Sequence, residues 1–271
     1  MNRPSITSRP LVKKILVSRI PQWSILVVML AGFLFAIMAG FIGTPVGNRN
    51  FGIVFIWIAW WAVLILVAVP LLGRGWCAVC PIPLPGEWLQ RRSVLGPEKP
   101  GASPARKRRW PRLLRNMWVQ NVSFTLVALF SAVILTSPAV TSAVLGAMLL
   151  LAIALSFIFE RRAFCRYVCP VGGFIGLYSQ VAPIELRTAD RSLCRTCVSK
   201  PCYNGSAQGF GCPWDVFPPG LGRNTYCGLC LECVRTCPSD NIAIRVRGFV
   251  ADLERPSAHL DEAVKAFVML G

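Results

Sequence analysis

The sequence predicts a membrane α-helical anchor of four transmembrane helices followed by a small α+β domain organised by cysteines. Three observations predict it. There are long stretches with no charged residue, basic residues alternate between those stretches, and twelve cysteines fall outside them in three groups of four. Of the 271 residues, 54% are hydrophobic and only 15% are charged, a balance too apolar for an ordinary soluble chain of this length.

Residues 20–48, 50–73 and 116–159 carry no charge at all. A spanning helix needs about 20 predominantly apolar residues, so the first stretch predicts a helix over about 24–43 and the second one over about 51–72. The third has room for two, about 118–137 and 140–159, divided at Thr136-Ser137-Pro138. Four such runs argue against core helices of a soluble protein, and the first is too long for a cleaved signal peptide and has no small-residue cleavage site after it. Trp57, Trp60 and Trp61 fall mid-run, where helix packing accounts for them; a quinone pocket there has no specific support in the sequence.

Lys and Arg set the orientation. Five precede the first run, one (Arg49) lies between the first two, ten lie in 73–117, none lies in the turn near Pro138, and thirteen follow Phe159. This alternation places both termini, the 73–117 loop and everything after the fourth helix on the cytoplasmic side of the inner membrane. It also accounts for the net charge of +17, since basic residues gather at the anionic inner leaflet; nucleic acid is not the expected partner, because no aromatic-rich soluble basic domain accompanies the Arg106-Lys107-Arg108-Arg109 run. Segment 97–105 reads as a surface loop from its Pro and Gly content.

The cysteines carry the chemistry. Cys227, Cys230, Cys233 and Cys237, with Pro238, form C-x2-C-x2-C-x3-C-P. That run turns three thiolates onto one cuboidal cluster and aims the fourth at a neighbouring one. Cys194, Cys197, Cys202 and Cys212, with Pro213, repeat the order with longer gaps, and Gly205, Gly209 and Gly211 let the chain loop out in the longest. Crossed ligation follows: Cys194, Cys197, Cys202 and Cys237 on one [4Fe–4S] cluster, and Cys227, Cys230, Cys233 and Cys212 on the other. Zinc suits the close-set run poorly, and structural disulfides are rare in a reducing compartment. The lone histidine, His259, excludes bis-histidine haem within the chain. Asp240 to Ile244 reads as a turn and a strand. The two-cluster domain is expected over 181–250, the anchor with its cysteine motifs over 1–180, and a tail over 251–271 whose end reads as the start of a further, truncated helix.

The remaining group is two pairs, Cys77/Cys80 and Cys165/Cys169, each ending in Cys-Pro and each just after an apolar run. The contexts Gly73-Arg74-Gly75-Trp76-Cys77 and Arg161-Arg162-Ala163-Phe164-Cys165 are alike, which points to a repeated unit of two helices and a Cys pair. Both pairs are expected on the same side at the same depth. A third iron–sulfur cluster, copper, or redox-active thiols all remain open for them. No catalytic triad, phosphate loop or intramembrane carboxylate stands out, so the sequence predicts no substrate chemistry of its own.

Four apolar runs, two Cys…Cys-Pro motifs at their ends and a double cysteine module resemble the NapH/NosR-type membrane polyferredoxins, over about residues 20–250. The resemblance implies a ferredoxin-like 2[4Fe–4S] domain and an electron-transfer component rather than a stand-alone enzyme. Such a component works between a quinol pool or a cytoplasmic ferredoxin-type donor and a reductase partner. A related branch assists copper-oxidase maturation, and there the Cys-Pro motifs handle copper. The chain departs from the pattern in the C-x2-C-P spacing of Cys77 and Cys80, in its stretched first cysteine run, and in having no flavin-binding domain before the helices.

Overall fold

The computed structural model describes residues 5–93, 96–97, 107–254 and 259–270; beyond Pro97 the loop expected over 97–105 lies outside the described residues. The chain opens with α1 (Pro10–Val17), whose first position suits proline because its missing N–H has no helical partner there. The first uncharged run forms α2 (Arg19–Ile42) and the second α3 (Phe51–Ala78). Asn50 closes the turn between them. Its side chain accepts from Gly52 N (2.8 Å) and donates to the carbonyls of Ala39 (2.9 Å) and Thr44 (2.8 Å). The buried Asn50 side chain thus ties the exposed turn to the ends of both helices. Inside α3 the hydrogen-bond ladder widens to i→i+5 over Val54–Trp60 and Leu64–Ala68, a distortion common near functional sites.

The sequence ends this helix near Leu72, but the chain continues in a tight turn over Gly73–Ala78. Gly73 makes the bend at φ 55°, packed on Ser179 and Ala182 where a Cβ would crowd both. Cys77 thereby becomes part of the helix end. Next comes α4 (Leu84–Arg91). The third run is less regular than expected. Instead of one helix over 118–137 it gives α5 (Trp118–Leu129) and α6 (Ser131–Thr136), divided at Phe130, which leaves helical geometry at φ −98°, ψ 11°. Phe130 N still donates to Leu126 O (3.3 Å) and Ile134 N to Phe130 O (3.0 Å), so the chain bends without orphaning those groups.

Then α7 (Pro138–Ile158) returns. With α2 and α3 it makes three helices, among the described residues, long and apolar enough to cross a membrane. They pack on Phe33, Ala36, Ile56, Leu145 and Leu149. Gly40 lets α2 touch α7 backbone to backbone, since a Cβ there would overlap Ser142 Oγ; small residues at such contacts are how helices pack in lipid. Phe35, Met38, Leu66 and Leu150 face outward and exposed.

The rest is compact and cysteine-rich: α8 (Pro170–Tyr178), β1 (Ile184–Thr188), α9 (Arg191–Thr196), α10 (Pro201–Asn204), α11 (Glu232–Thr236), β2 (Ile242–Val246) and α12 (Leu260–Leu270). The two strands pair antiparallel with Leu186 opposite Ile244. Both side chains, with Ile242, turn inward onto Leu221, Leu231 and Val234. The first residues belong to this unit as well. Ser5 bridges to Arg245 beside β2, and Ile6, Leu16 and Val17 pack on the same core. Arg235 donates to Val17 O (2.6 Å) and Gln22 Oε1 (3.0 Å), and Arg19 pairs with Glu232 at 3.0 Å. Residues 5–22 thus strap the cysteine unit to the start of α2.

The tail forms the amphipathic α12, which lies across α5 and α8. Asp261 accepts from Met117 N (2.8 Å) at the start of α5, and Arg223 grips Glu262 through both nitrogens (2.8 and 3.1 Å). Acidic groups in the first turn of α12 suit its positive end.

Candidate functional site

Cys194 lies on α9, a helix capped by Asp190, whose carboxylate accepts from Ser192 N (2.7 Å). Cys202 lies on α10, which Pro201 opens after Lys200 turns the chain at φ 45°. Cys237 follows α11 directly. These three and Cys197 line one open hollow of about 370 Å³, walled by Leu193, Phe217, Pro238 and Ile242. Cys212, Cys227, Cys230 and Cys233 line a second hollow of about 340 Å³, walled by Leu186, Trp214, Val216 and Leu231. The structure therefore sets Cys237 with the first run and Cys212 with the second. Leu229 and Leu231 take left-handed backbone angles (φ 48° and 65°). Alternating handedness curls the Cys227–Cys233 segment into a concave loop of the kind whose N–H groups attract anions.

Three Cys-Pro thiols accept a backbone N–H a turn later: Cys169 from Gly172 (3.3 Å), Cys212 from Val216 (3.4 Å) and Cys237 from Asn241 (3.3 Å). In the fourth such motif, the backbone N–H of Ile82 bonds to Cys80. Asn241 adds its side-chain amide to Cys194 at 3.2 Å. Such donors favour the thiolate. Burial acts the other way and wins in the metal-free protein. It pushes Cys202 and Cys230 up to about 12 and Cys227 up to about 11, with neighbouring thiols adding to the rise.

Cys77, Cys80, Cys165 and Cys169 converge below the helices. Cys77 ends α3, Cys165 lies in the wide turn Phe164–Val168, and Cys169 caps α8. Cys77, Cys165 and Cys169 share one buried core. Burial pushes Cys80 up to about 12, with Cys77 and Cys169 adding repulsion, and Cys165 rises under burial and the three others together. Four ionised thiolates here would be prohibitive without a cation. Among the described residues, no three His, Cys, Asp or Glu groups converge closely enough to share one ion.

Buried arginines surround this set. Arg162 donates to Cys77 O (2.8 Å) and, from its other arm, to Glu87 Oε2 (2.8 Å). Arg74 donates to Cys165 O (3.2 Å) and to Thr225 O of the cysteine unit. Burial alone would raise Glu87, but Arg162 and Arg91 outweigh it and hold its carboxyl at about 2. Lys265 of α12 is fully buried with Nζ 3.7 Å from the Phe124 ring centre, and desolvation lowers it to about 7 despite the pull of Cys169. Trp214 lies between Arg74 (4.6 Å) and Arg162 (5.7 Å) and joins the walls of the second hollow and of the Cys77/Cys165/Cys169 core. Buried thiols, N–H donors aimed at sulfur and nearby positive charge fit a sulfur-ligated, anionic metal cluster.

The twelve cysteines stand out in the sequence, whereas Glu87, Trp214, Lys265 and the N-terminal strap do not. Glu87 alone left a trace, as one of two acids in the basic 73–117 loop. Trp214 immediately follows a Cys-Pro, a placement that carries no rule. The strap left none, because its partners lie more than 200 residues away.

The chain matches the family described as a 4Fe-4S binding domain in two stretches, residues 53–111 and 141–186. Each holds a helix long enough to cross a membrane and one of the pairs Cys77/Cys80 and Cys165/Cys169. Among curated proteins it is 29% identical over 116 residues to the "Putative electron transport protein YccM" of Escherichia coli (strain K12), covering 42% of this chain. It is also 29% identical over 97 residues to the "Uncharacterized protein MJ0750" of Methanocaldococcus jannaschii, covering 35% of this chain. The alignments span 27% and 36% of those proteins' own lengths, well under half of each. No solved structure matches. Over the two stretches that carry its helix-end cysteine pairs, the chain is similar to 4Fe-4S binding domains.

Proposed function

We propose that this chain is a membrane-anchored iron–sulfur electron-transfer protein of the NapH/NosR type. In this reading Cys194, Cys197, Cys202 and Cys237 hold one [4Fe–4S] cluster, Cys212, Cys227, Cys230 and Cys233 a second, and Cys77, Cys80, Cys165 and Cys169 a third. The carrying observation is the coincidence at the third set: the two stretches similar to a 4Fe-4S binding domain each contribute one cysteine pair, and Cys77 shares one buried core with Cys165 and Cys169 while Cys80 lies near enough to act on Cys165. A [4Fe–4S] group bound in such a set supplies a one-electron couple whose potential answers to burial and to hydrogen bonds at sulfur.

The chain's own residues do the rest. The thiolates hold the group, the Cys-Pro N–H donors orient them, Arg74 and Arg162 offset charge, and the apolar walls keep water out. The protein name of the Escherichia coli relative supports electron transport. In each of the two module hollows four thiols line one common space, which suits a cluster. We further propose four membrane helices, with α5 and α6 together forming the third in chain order, and both termini and all three sets at the cytoplasmic face of the inner membrane. Redox proteins there, or the quinone pool, are the proposed partners.

The test is anaerobic purification in detergent with iron, sulfide, copper and zinc counted. Three clusters give about twelve iron and as many sulfides, and replacing Cys77, Cys80, Cys165 and Cys169 by Ser together removes about a third of both. Copper or zinc in place of iron at the third set, or an iron count untouched by that replacement, overturns the three-cluster reading.

A further inference from the structure

Trp214 is 1% exposed, and its indole Nε1 is buried with no hydrogen-bond acceptor among the described residues. Buried donors almost always have partners, and an indole chosen for packing alone would strand one. The nitrogen edge of the ring lies on Gly228, inside the Cys227–Cys230 loop: a Cβ at Gly228 would overlap Nε1 and Cε2. The same ring walls the hollow lined by Cys212, Cys227, Cys230 and Cys233. Arg74 and Arg162 lie over the ring. Positive charge at the ring face draws electron density from the nitrogen and strengthens its N–H as a donor.

We infer that Trp214 Nε1–H is a hydrogen-bond donor to the sulfur of the group held by Cys212, Cys227, Cys230 and Cys233, and that it raises the reduction potential of this group relative to the others. Trp214 is a positioning and tuning residue here. The inference rests on the iron–sulfur reading above. Its physical basis is that a donor at sulfur stabilises the more negative, reduced form more than the oxidised one. The first hollow has a different donor, the Asn241 amide on Cys194, so the two sites of the cysteine unit are tuned separately.

The experiment compares the full-length protein with its Trp214→Phe variant, both anaerobically purified and matched for iron, by EPR-monitored redox titration. The expected result is one midpoint potential moved to a more negative value with the others unmoved. In parallel, wild-type protein with ¹⁵N-indole tryptophan is reduced and examined by pulsed EPR. A hyperfine coupling to an indole nitrogen with an exchangeable proton is expected, and it disappears in Trp214→Phe. Unchanged potentials in an iron-replete variant, an equal shift of every cluster, or no indole coupling in the wild type overturns the inference. If Trp214→Phe does not retain iron, labelled protein carrying Trp76→Phe decides, since that change removes the tryptophan beside Cys77: coupling supports the donor and its absence overturns it. Wild-type protein devoid of iron and sulfide would sink the underlying reading as well, whereas iron-replete protein without coupling sinks this inference alone.

Discussion

Glu87 and Arg162 show how much of this site is held by residues that ligate nothing. Glu87 lies in the first cysteine-bearing stretch and Arg162 in the second, and their buried pair, extended to Cys77 O, ties one to the other. Removing one member of a buried pair typically costs about 3–5 kcal/mol, because the other charge is left uncompensated. Glu87→Gln should therefore lower the unfolding temperature of the purified protein sharply. An unchanged melting temperature would contradict the pairing. The pH dependence has a definite sign. A carboxyl held at about 2 in the folded chain and near 4.5 when unfolded adds stability that is complete above pH 4.5 and is lost as pH falls towards 2. Thermal unfolding across that window should show an acid step in the wild type that Glu87→Gln lacks. The cysteines of this site were legible because ligand spacing is a local property. Glu87 was not, because what matters about it is a partner 75 residues away.

At the level of elements, the uncharged runs were readable because a long apolar helix is specified by composition alone. The two departures lie where backbone geometry decides. Gly73 carries α3 on to Cys77, and Phe130 splits the run that begins at Trp118. Neither follows from hydrophobicity. The α2–α7 contact makes a direct prediction. Gly40→Val places a Cβ in overlap with Ser142 Oγ and 2.9 Å from Pro138 O, and overpacking of this kind costs about 1–3 kcal/mol. The variant should melt earlier in detergent, while Gly146→Val, whose Cβ position is open, should not; equal melting of the two would show that the helices do not meet as described. The strap gives a second test. Arg235→Ala removes the bonds to Val17 and Gln22 and the pair with Glu232. It should make residues 5–18 far more sensitive to protease, read by the size of the first cleavage product, without changing the spectrum of the third cysteine set.

Across the whole molecule, the proposed topology places the turn between α2 and α3 outside the cell and every cysteine inside. Asn48 is exposed in that turn, so a cysteine put there should react with an impermeant thiol reagent in intact cells. Reaction only after permeabilisation would reverse the orientation, and with it the reason for excluding disulfides. The grouping of the cysteines into sets could be read from motif order, but their adjacency could not. Cys202 and Cys233 share one core, and Cys230 shares another with Cys77, Cys165 and Cys169. The set of Cys212, Cys227, Cys230 and Cys233 thus adjoins the cores of both others, a result of packing between segments far apart in sequence. The expected boundary at 180 is likewise invisible in the packing, because Trp214, Arg74 and Arg162 stitch across it.

This interleaving fixes an order of events during synthesis. The helix-end set gains its last thiol at Cys169, whereas the other two are completed at Cys233 and Cys237, four residues apart. All three apolar helices have left the ribosome before any set is whole. On the proposed reading the helices can therefore insert before any cluster is delivered, and the two module sites become complete almost together. The strap at residues 5–18, made first, waits for its seat beside β2 until the chain has passed Arg245.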